Sequence, residues 1–338
     1  MLVSVIIPCR NEVKYIEECI NAIYNSSNID FETIEVLIID GKSNDGTLQI
    51  IKQLQQKYPT LKLIENTLQL TPYAFNLGIN NSVGKYVQII GVRQIVKPNY
   101  ISNAIHTLTN NSEIWCVGGK VINVFENNDS ETIAAAMSSW FGVGGGNFRI
   151  LTQSAFVDTV GTPMYPRAVF DKIGLFDQDL VRNQDDDYNY RVTYAGGKIF
   201  LNVDIAVKYY VRASFQNLFK QYYQYGYWKV FVNKKHNTLT TLRQLVPALF
   251  VLYLLSLIVI AGVLPNIYFG VYFVGMLIYI LSALYAASKV STISTNYFKI
   301  VGTFFILHLS YGFGYLEGLM QFVILKRAPK NSSKTLSR

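Results

Sequence analysis

Three adjacent carboxylates, Asp185, Asp186 and Asp187, sit in the run Arg182-Asn183-Gln184-Asp185-Asp186-Asp187-Tyr188-Asn189-Tyr190-Arg191. The run reads as the start of a helix, where free N–H groups and the helix dipole stabilise negative charge. Capping explains one aspartate there well and three poorly. A carboxylate so placed can take a proton from a hydroxyl. Crowding by its neighbours raises its affinity for that proton, and a neutral Gln184 removes one repulsion.

A second set of polar residues follows short apolar runs. Val3–Pro8 leads into Cys9-Arg10-Asn11-Glu12, and Glu35–Asp40 into Gly41-Lys42-Ser43-Asn44-Asp45-Gly46-Thr47. Tyr86–Ile90 leads into Gly91-Val92-Arg93. Asp40 is an acceptor suited to a sugar hydroxyl or a base N–H. Ser43, Asn44 and Asp45 suit a turn and a cap for a helix from Thr47, and capping alone accounts for them. The glycines of Phe141–Phe148 lack the Lys-Ser/Thr of a phosphate-binding P-loop. They read equally as a mobile acceptor-side loop or as a plain connection.

The elements that must position these residues follow from periodicity. Val3–Pro8, Glu35–Asp40, Leu61–Ile64 and Tyr86–Ile90 read as buried strands. Val13–Tyr24, Thr47–Tyr58 and Tyr73–Asn80 carry helical spacing between them. This βαβ series predicts an α/β domain with a mostly parallel central sheet and helices on both faces. Ligands then bind beyond the C-terminal ends of the strands.

The rest of the chain has another character. Half of the 338 residues are hydrophobic and 15% are charged, which excludes disorder. Residues 1–204 hold 16 basic and 21 acidic side chains, whereas residues 205–338 hold 14 basic ones and a single acid, Glu317. Leu245–Leu264 and Ile267–Ala287 are long enough to cross a bilayer, with Pro265-Asn266 between them. A third apolar stretch, Tyr297–Leu325, contains His308 and Glu317. Lys289, Lys299 and the basic tail favour a re-entrant or broken form for it. Ser214–Lys235 interleaves aromatics with lysines and suits a helix at the headgroup level. The adjoining spans favour membrane lipids over nucleic acid as its partner. Cys9, Cys19 and Cys116 form no CxxC pair, and Met1–Glu12 lacks a signal-peptide pattern. A reduced, cytoplasmic setting is expected for the first domain. The boundaries expected are a catalytic domain over 1–212, an interfacial segment over 213–243, a membrane region over 244–325 and a basic tail over 326–338.

Taken together, V-S-V-I-I-P-C-R-N-E, L-I-I-D-G-K-S-N-D-G-T and Q-D-D-D-Y-N-Y-R resemble the motifs of the family 2 glycosyltransferases. The resemblance is strongest to the membrane-attached enzymes of succinoglycan-type exopolysaccharide synthesis. Their VDTV-like segment is similar to Val157-Asp158-Thr159-Val160, and their glycine-rich segment with a following arginine to Gly142–Gly146 and Arg149.

The resemblance implies the GT-A nucleotide-sugar-binding fold followed by an α-helical membrane region. It places Pro8, Arg10, Glu12 and Asp40 around the donor nucleoside. It puts Gln184 where the family has Glu and Asp185 at the catalytic base, with Asp186, Asp187 and Arg149 on the acceptor side. It implies an inverting enzyme of the cell membrane, multi-pass, with its catalytic domain in the cytoplasm. Such an enzyme moves one sugar from a nucleotide-sugar, UDP-linked in the leading reading, to a polyprenyl-diphosphate-linked glycan. Transfer to polyprenyl phosphate and a non-catalytic nucleotide-sugar-binding subunit are the alternatives. Processive synthases carry Gln-x-x-Arg-Trp where this chain has Gln224-Tyr225-Gly226-Tyr227-Trp228, which favours single addition.

The family also implies a Mg2+ or Mn2+ ion held by Asp-x-Asp after the fourth strand. Counting back from Pro98, Gly91, Val92 and Arg93 stand there instead. Three readings stay open. Arg93 contacts the diphosphate directly; another acid such as Asp45 or Asp158 holds the metal; or the chain binds without catalysing. A solvated Arg93 with no such role is nearly as well supported.

Overall fold

The structure is a computed structural model and describes residues 1–144, 151–211, 214–239, 242–263 and 267–329. The chain forms two compact units. The first comprises Met1–Val124 and Gly146–Tyr210; the second comprises Phe125–Gly145 and Val211–Arg338. Residues 125–145, which the sequence assigns to the catalytic domain, thus group with the C-terminal helices.

The first unit begins as β1 (Val3–Cys9), α1 (Ile16–Tyr24), β2 (Ile34–Asp40), α2 (Thr47–Lys57), β3 (Leu61–Glu65), α3 (Thr71–Asn80) and β4 (Tyr86–Ile89). It continues with β5 (Gln94–Val96), α4 (Tyr100–Asn110) and β6 (Ile114–Val124). After residue 150 come β7 (Ala155–Phe156), β8 (Gly161–Pro166), α7 (Arg167–Ile173), α8 (Gln184–Tyr194) and β9 (Lys198–Tyr210). The sheet runs β3-β2-β1-β4-β8-β6-β9-β5, with β7 added on β9.

The sheet is mixed, where the sequence predicts a mostly parallel one. β3, β2, β1 and β4 pair in parallel. β8 runs antiparallel to both β4 and β6. β9 is parallel to β6 and antiparallel to β5 and β7. Two apolar clusters cover the sheet's two faces. Ile7, Val36 and Ile38 pack with α1 on one side, and Ile6, Leu37 and Ile39 with α3 on the other. Burial on both faces explains the continuous apolar runs of β1 and β2.

A charged side chain of β2 lies inside this core. Glu35 is fully buried on β2, and Ser4 Oγ (2.6 Å), Val83 N (2.7 Å) and Lys62 Nζ (2.7 Å) all donate to it. Burial raises its affinity for a proton, but these bonds outweigh burial and hold its pKa below the ordinary value.

In the second unit, α5 (Asn128–Met137) and α6 (Trp140–Val143) accompany α9 (Phe215–Lys235), α10 (Val246–Val263), α11 (Ile267–Val290) and α12 (Tyr297–Gly318). α5 is tied to the α11–α12 region by Lys299 Nζ to Asp129 Oδ1 (2.7 Å) and Ser294 Oγ to Glu131 Oε1 (2.6 Å). His308 Nε2 lies 2.9 Å from the carbonyl of Phe141. α9 and α12 meet backbone to backbone. A β-carbon on Gly226 would overlap the carbonyl of Tyr311, and one on Gly314 that of Tyr223.

The third apolar stretch is therefore one unbroken α-helix, completed by a π-helical turn at Leu319–Ile324, with Ile300, Phe304, Leu307 and Tyr315 buried. Glu317 is met by the Tyr223 hydroxyl. Two spans are expected over 245–264 and 267–287. Among the described residues one helix, at Tyr272–Val290, is long and apolar enough to cross a membrane. A shorter apolar helical stretch, Leu242–Leu257, runs from the 3-10 turn before α10 into that helix. Pro265, Asn266 and the tail residues 330–338 lie outside the described residues.

Candidate active site

The parallel half of the sheet brings the ends of β1, β2 and β4 to one edge. There the chain makes a compact polar network. Asp40 is 3% exposed and accepts from Ser43 N (2.9 Å) and Ser43 Oγ (2.5 Å). Ser43 Oγ in turn accepts from Asn11 N at 2.8 Å, and Asn44 N donates to Asn11 Oδ1 at 2.9 Å. Thr47 Oγ1 accepts from Glu12 N at 3.0 Å.

Asp45 takes Thr47 N (3.1 Å), Thr47 Oγ1 (2.5 Å) and Val13 N (3.2 Å). Partial burial opposes its charge, and these donors more than offset that, lowering its pKa. Asn11 (φ 54°) and Lys42 (φ 60°) are left-handed, and Gly46 (φ 100°) opens α2. Local side-chain bonds thus hold backbone turns that the chain alone disfavours. They also explain why α1 begins at Ile16 and not at Val13.

Pro8 ends the apolar part of β1 and is half-buried, as is Arg10, whose side chain lies against Gly41. Cys9 lies between them. Burial first, then Asp40 and Glu12, push its thiol pKa up; burial, helped by Glu18, takes Cys19 to about 12, and burial against an opposing Tyr165 hydrogen bond takes Cys116 to about 12. All three cysteines are free, buried thiols at neutral pH, which removes them as nucleophiles.

Gly91, Val92 and Arg93 form the turn between β4 and β5. Gly91 N donates to Gln94 Oε1 (2.6 Å), and Gln94 N to the Gly91 carbonyl (2.8 Å). Arg93 Nε pairs with Glu12 Oε2 at 3.0 Å, and its guanidinium lies 4.7 Å from the centre of the Tyr15 ring. The sequence does not single out Tyr15, although it falls three residues after Glu12 at the start of α1.

α8 carries the carboxylate cluster, and its three aspartates are placed differently. Asp187 is fully buried and takes Arg191 Nε at 3.0 Å. Arg191 donates onward to the carbonyls of Ile173 (2.7 Å) and Leu175 (2.8 Å). Asp186 accepts from Asn183 Nδ2 at 2.9 Å, and Asn183 is itself left-handed at φ 58°. Asp185 is exposed. Beside it, Gln184 Oε1 is buried with no hydrogen-bond partner among the described residues. Asn189 Nδ2 donates to Thr159 Oγ1 at 3.0 Å, which ties the Val157–Val160 segment to α8. Asp158 is exposed in that segment. Arg149, expected on the acceptor side, lies outside the described residues.

The position expected to ligate a divalent cation does not suit one. Gly91 offers no side chain, Val92 is buried and apolar, and Arg93 is a cation already paired with Glu12. Among the described residues, no group of three or more His, Cys, Asp or Glu side chains is arranged to hold a metal.

The chain is similar to several characterised proteins. It is 31% identical, over 94% of its length and 97% of the relative's, to a dolichyl N-acetyl-α-D-glucosaminyl phosphate 3-β-D-2,3-diacetamido-2,3-dideoxy-β-D-glucuronosyltransferase of Methanococcus voltae. It is 25% identical to the succinoglycan biosynthesis protein ExoA of Rhizobium meliloti, over 72% of this chain and 73% of that one. Among solved structures, the mannosyltransferase PcManGT of Pyrobaculum calidifontis, in complex with GDP-Man and Mn2+, matches with a TM-score of 0.63. That match has 16% identity and covers 94% of this chain and 86% of that one. S. aureus TarS in complex with UDP-GlcNAc matches with a TM-score of 0.51 and 20% identity, over 63% of this chain and 60% of that one. These two likenesses establish a GT-A-type fold. The profile for Glycosyl transferase family 2 matches residues 4–174, and with the relatives' identity and coverage it makes this chain a member of the family 2 glycosyltransferases.

Proposed function

We propose that the chain is an inverting glycosyltransferase. It moves a single sugar from a nucleotide-sugar donor, UDP-linked in the leading case, to a sugar already carried on a polyprenyl phosphate or diphosphate. Asp185 is the base. The observation that carries this reading is the first turn of α8, where Asp187 is buried against Arg191 and Asp186 is half-buried. Asp185 is exposed beside an unpartnered acceptor, Gln184 Oε1. A buried acceptor left unpaired costs on the order of 1–3 kcal/mol unless a ligand satisfies it. An acceptor sugar's hydroxyl supplies the missing donor.

The reaction balances with one carboxylate. Asp185 takes the hydroxyl proton, and the acceptor oxygen forms its bond to C1 of the donor sugar. The C1–O bond to the diphosphate breaks on the opposite face, and the nucleoside diphosphate leaves with the electron pair. A single displacement inverts C1. Glu12 and Asp40 hold the nucleoside at the ends of β1 and β2, with Pro8 and Arg10 shaping the same rim. The network around Ser43 gives them a rigid setting.

The name of the Methanococcus voltae relative specifies a lipid-linked N-acetylglucosaminyl phosphate. That favours an acceptor that already bears a sugar over bare polyprenyl phosphate. The apolar helix at Tyr272–Val290 and the aromatic, lysine-rich α9 support attachment to the cytoplasmic face of the cell membrane. The test is transfer of labelled donor sugar to lipid-linked acceptors by the full chain in membranes, comparing UDP- with GDP-sugars. The Asp185→Asn variant is expected to lose transfer while still binding donor. Near-normal turnover in that variant rejects the assignment.

A further inference from the structure

We infer that Arg93, fixed by Glu12 and Tyr15, binds the donor diphosphate in place of a divalent cation, so that this chain holds its nucleotide without metal. The inference rests on the donor-side reading above and assigns the chemistry that reading leaves open.

Arg93 follows β4, at the strand-end edge that also carries Glu12 and Asp40. Ligands of such sheets bind at this edge. The turn that presents Arg93 is closed at both ends, by Gly91 N to Gln94 Oε1 and Gln94 N to the Gly91 carbonyl. The side chain is then fixed twice more. Glu12 Oε2 takes Nε, and the ring of Tyr15 supports the guanidinium face. Both contacts leave the two terminal amino groups without a bond among the described residues. The side chain remains 27% exposed. A guanidinium offers parallel donors with the spacing of two phosphate oxygens, and charge-assisted pairs of this kind are the strong ones.

Nothing at this position ligates a hard cation. The side chains of Gly91 and Val92 have no oxygen, and the Glu12 carboxylate already faces Arg93. Asp45, one of the alternative acids named in the sequence, has its oxygens engaged by Val13 and Thr47. A metal there would have to displace the bonds that shape the turn into α2. Immobilising Arg93 before the ligand arrives also reduces the ordering cost of binding.

Calorimetric titration of the full chain in detergent tests this with four probes: UDP, GDP, uridine and guanosine. Each is run once with EDTA and once with Mn2+. The preferred nucleoside diphosphate is expected to bind equally, within about twofold, in both conditions. Arg93→Ala is expected to weaken that diphosphate about tenfold or more and its nucleoside less than about twofold. Arg93→Lys, which keeps the charge and loses the fork, should fall between. Diphosphate binding that vanishes in EDTA and returns with Mn2+ overturns the inference and leaves the donor-side reading standing. Equal losses of diphosphate and nucleoside in both variants, with melting temperatures unchanged, assign Arg93 a purely structural role and also overturn it. If no probe binds under either condition, the donor-side reading itself fails.

Discussion

The two halves of the sheet position chemistry by different means. In the half formed by β3, β2, β1 and β4, every pairing is parallel, so the strand ends gather at one edge by topology alone. Glu12, Asp40 and Arg93 follow three of those ends, and the turns are locked by side chains of the same loops. In the half formed by β8, β6, β9 and β5, the parallel pair β6 and β9 lies between two strands that run against it, so the strand ends do not all gather at one edge. There the candidate base sits on a helix start, and α8 is held by the strap from Asp187 through Arg191 to the 173–175 backbone. The parallel half gathers its candidate binding residues through its topology, whereas in the mixed half one buried ion pair fixes the helix that carries the exposed candidate base.

That contrast can be broken by separating transfer from binding. Asp185→Asn should lower kcat about 10²- to 10⁴-fold, while nucleotide affinity measured by titration stays within about twofold. A comparable loss of affinity would mean that the two halves do not act separately. The parallel half should be the more sensitive in stability. Glu35→Gln is expected to cost roughly 2–3 kcal/mol in denaturant unfolding, because Ser4, Val83 and Lys62 lose a charged acceptor. The sign of the pH dependence follows from the lowered pKa of Glu35. Its contribution is present above the pKa of the unfolded chain, about 4.3, and is lost as pH falls through the folded value. The Gln variant should therefore show a flatter acid limb than the native chain.

Asp40→Asn keeps the shape of the donor rim and removes its charge. It should weaken nucleotide binding about tenfold, with little change in kcat at saturating donor. The smallest effect is expected at Asp45→Ala, which removes a cap-like acceptor at an exposed turn and should cost about 1 kcal/mol or less by thermal melting.

The same division explains what the sequence discloses. β1 to β4 fall within one or two residues of their apolar runs: β1, β2 and β4 because strands buried on both faces leave an unbroken hydrophobic signal, and the edge strand β3 through Leu61, Leu63 and Ile64. β6 and β9 leave none. β6 carries Gly118-Gly119 and Lys120 in mid-strand, and β9 mixes exposed, half-buried and buried residues irregularly over 13 positions. The antiparallel insertion of β8 is a long-range choice with no local mark. Among site residues, Glu12, Asp40, Arg93 and Asp185 stand out through residue type and spacing. The Arg93–Glu12 pair spans 81 residues of chain and depends on the β1–β4 pairing, so no local pattern announces it. Nor does spacing tell three adjacent aspartates apart. Only burial distinguishes Asp187 from Asp185.

The glycine seam between α9 and α12 has a consequence for how the second unit assembles. A contact made by backbone against backbone at Gly226 and Gly314 draws its strength from dispersion and close fit, not from expelling water. Such a contact keeps its packing attraction in hydrocarbon, where the hydrophobic effect contributes nothing. The seam between the two helices therefore does not depend on whether the apolar helix at Tyr272–Val290 lies in water or in lipid.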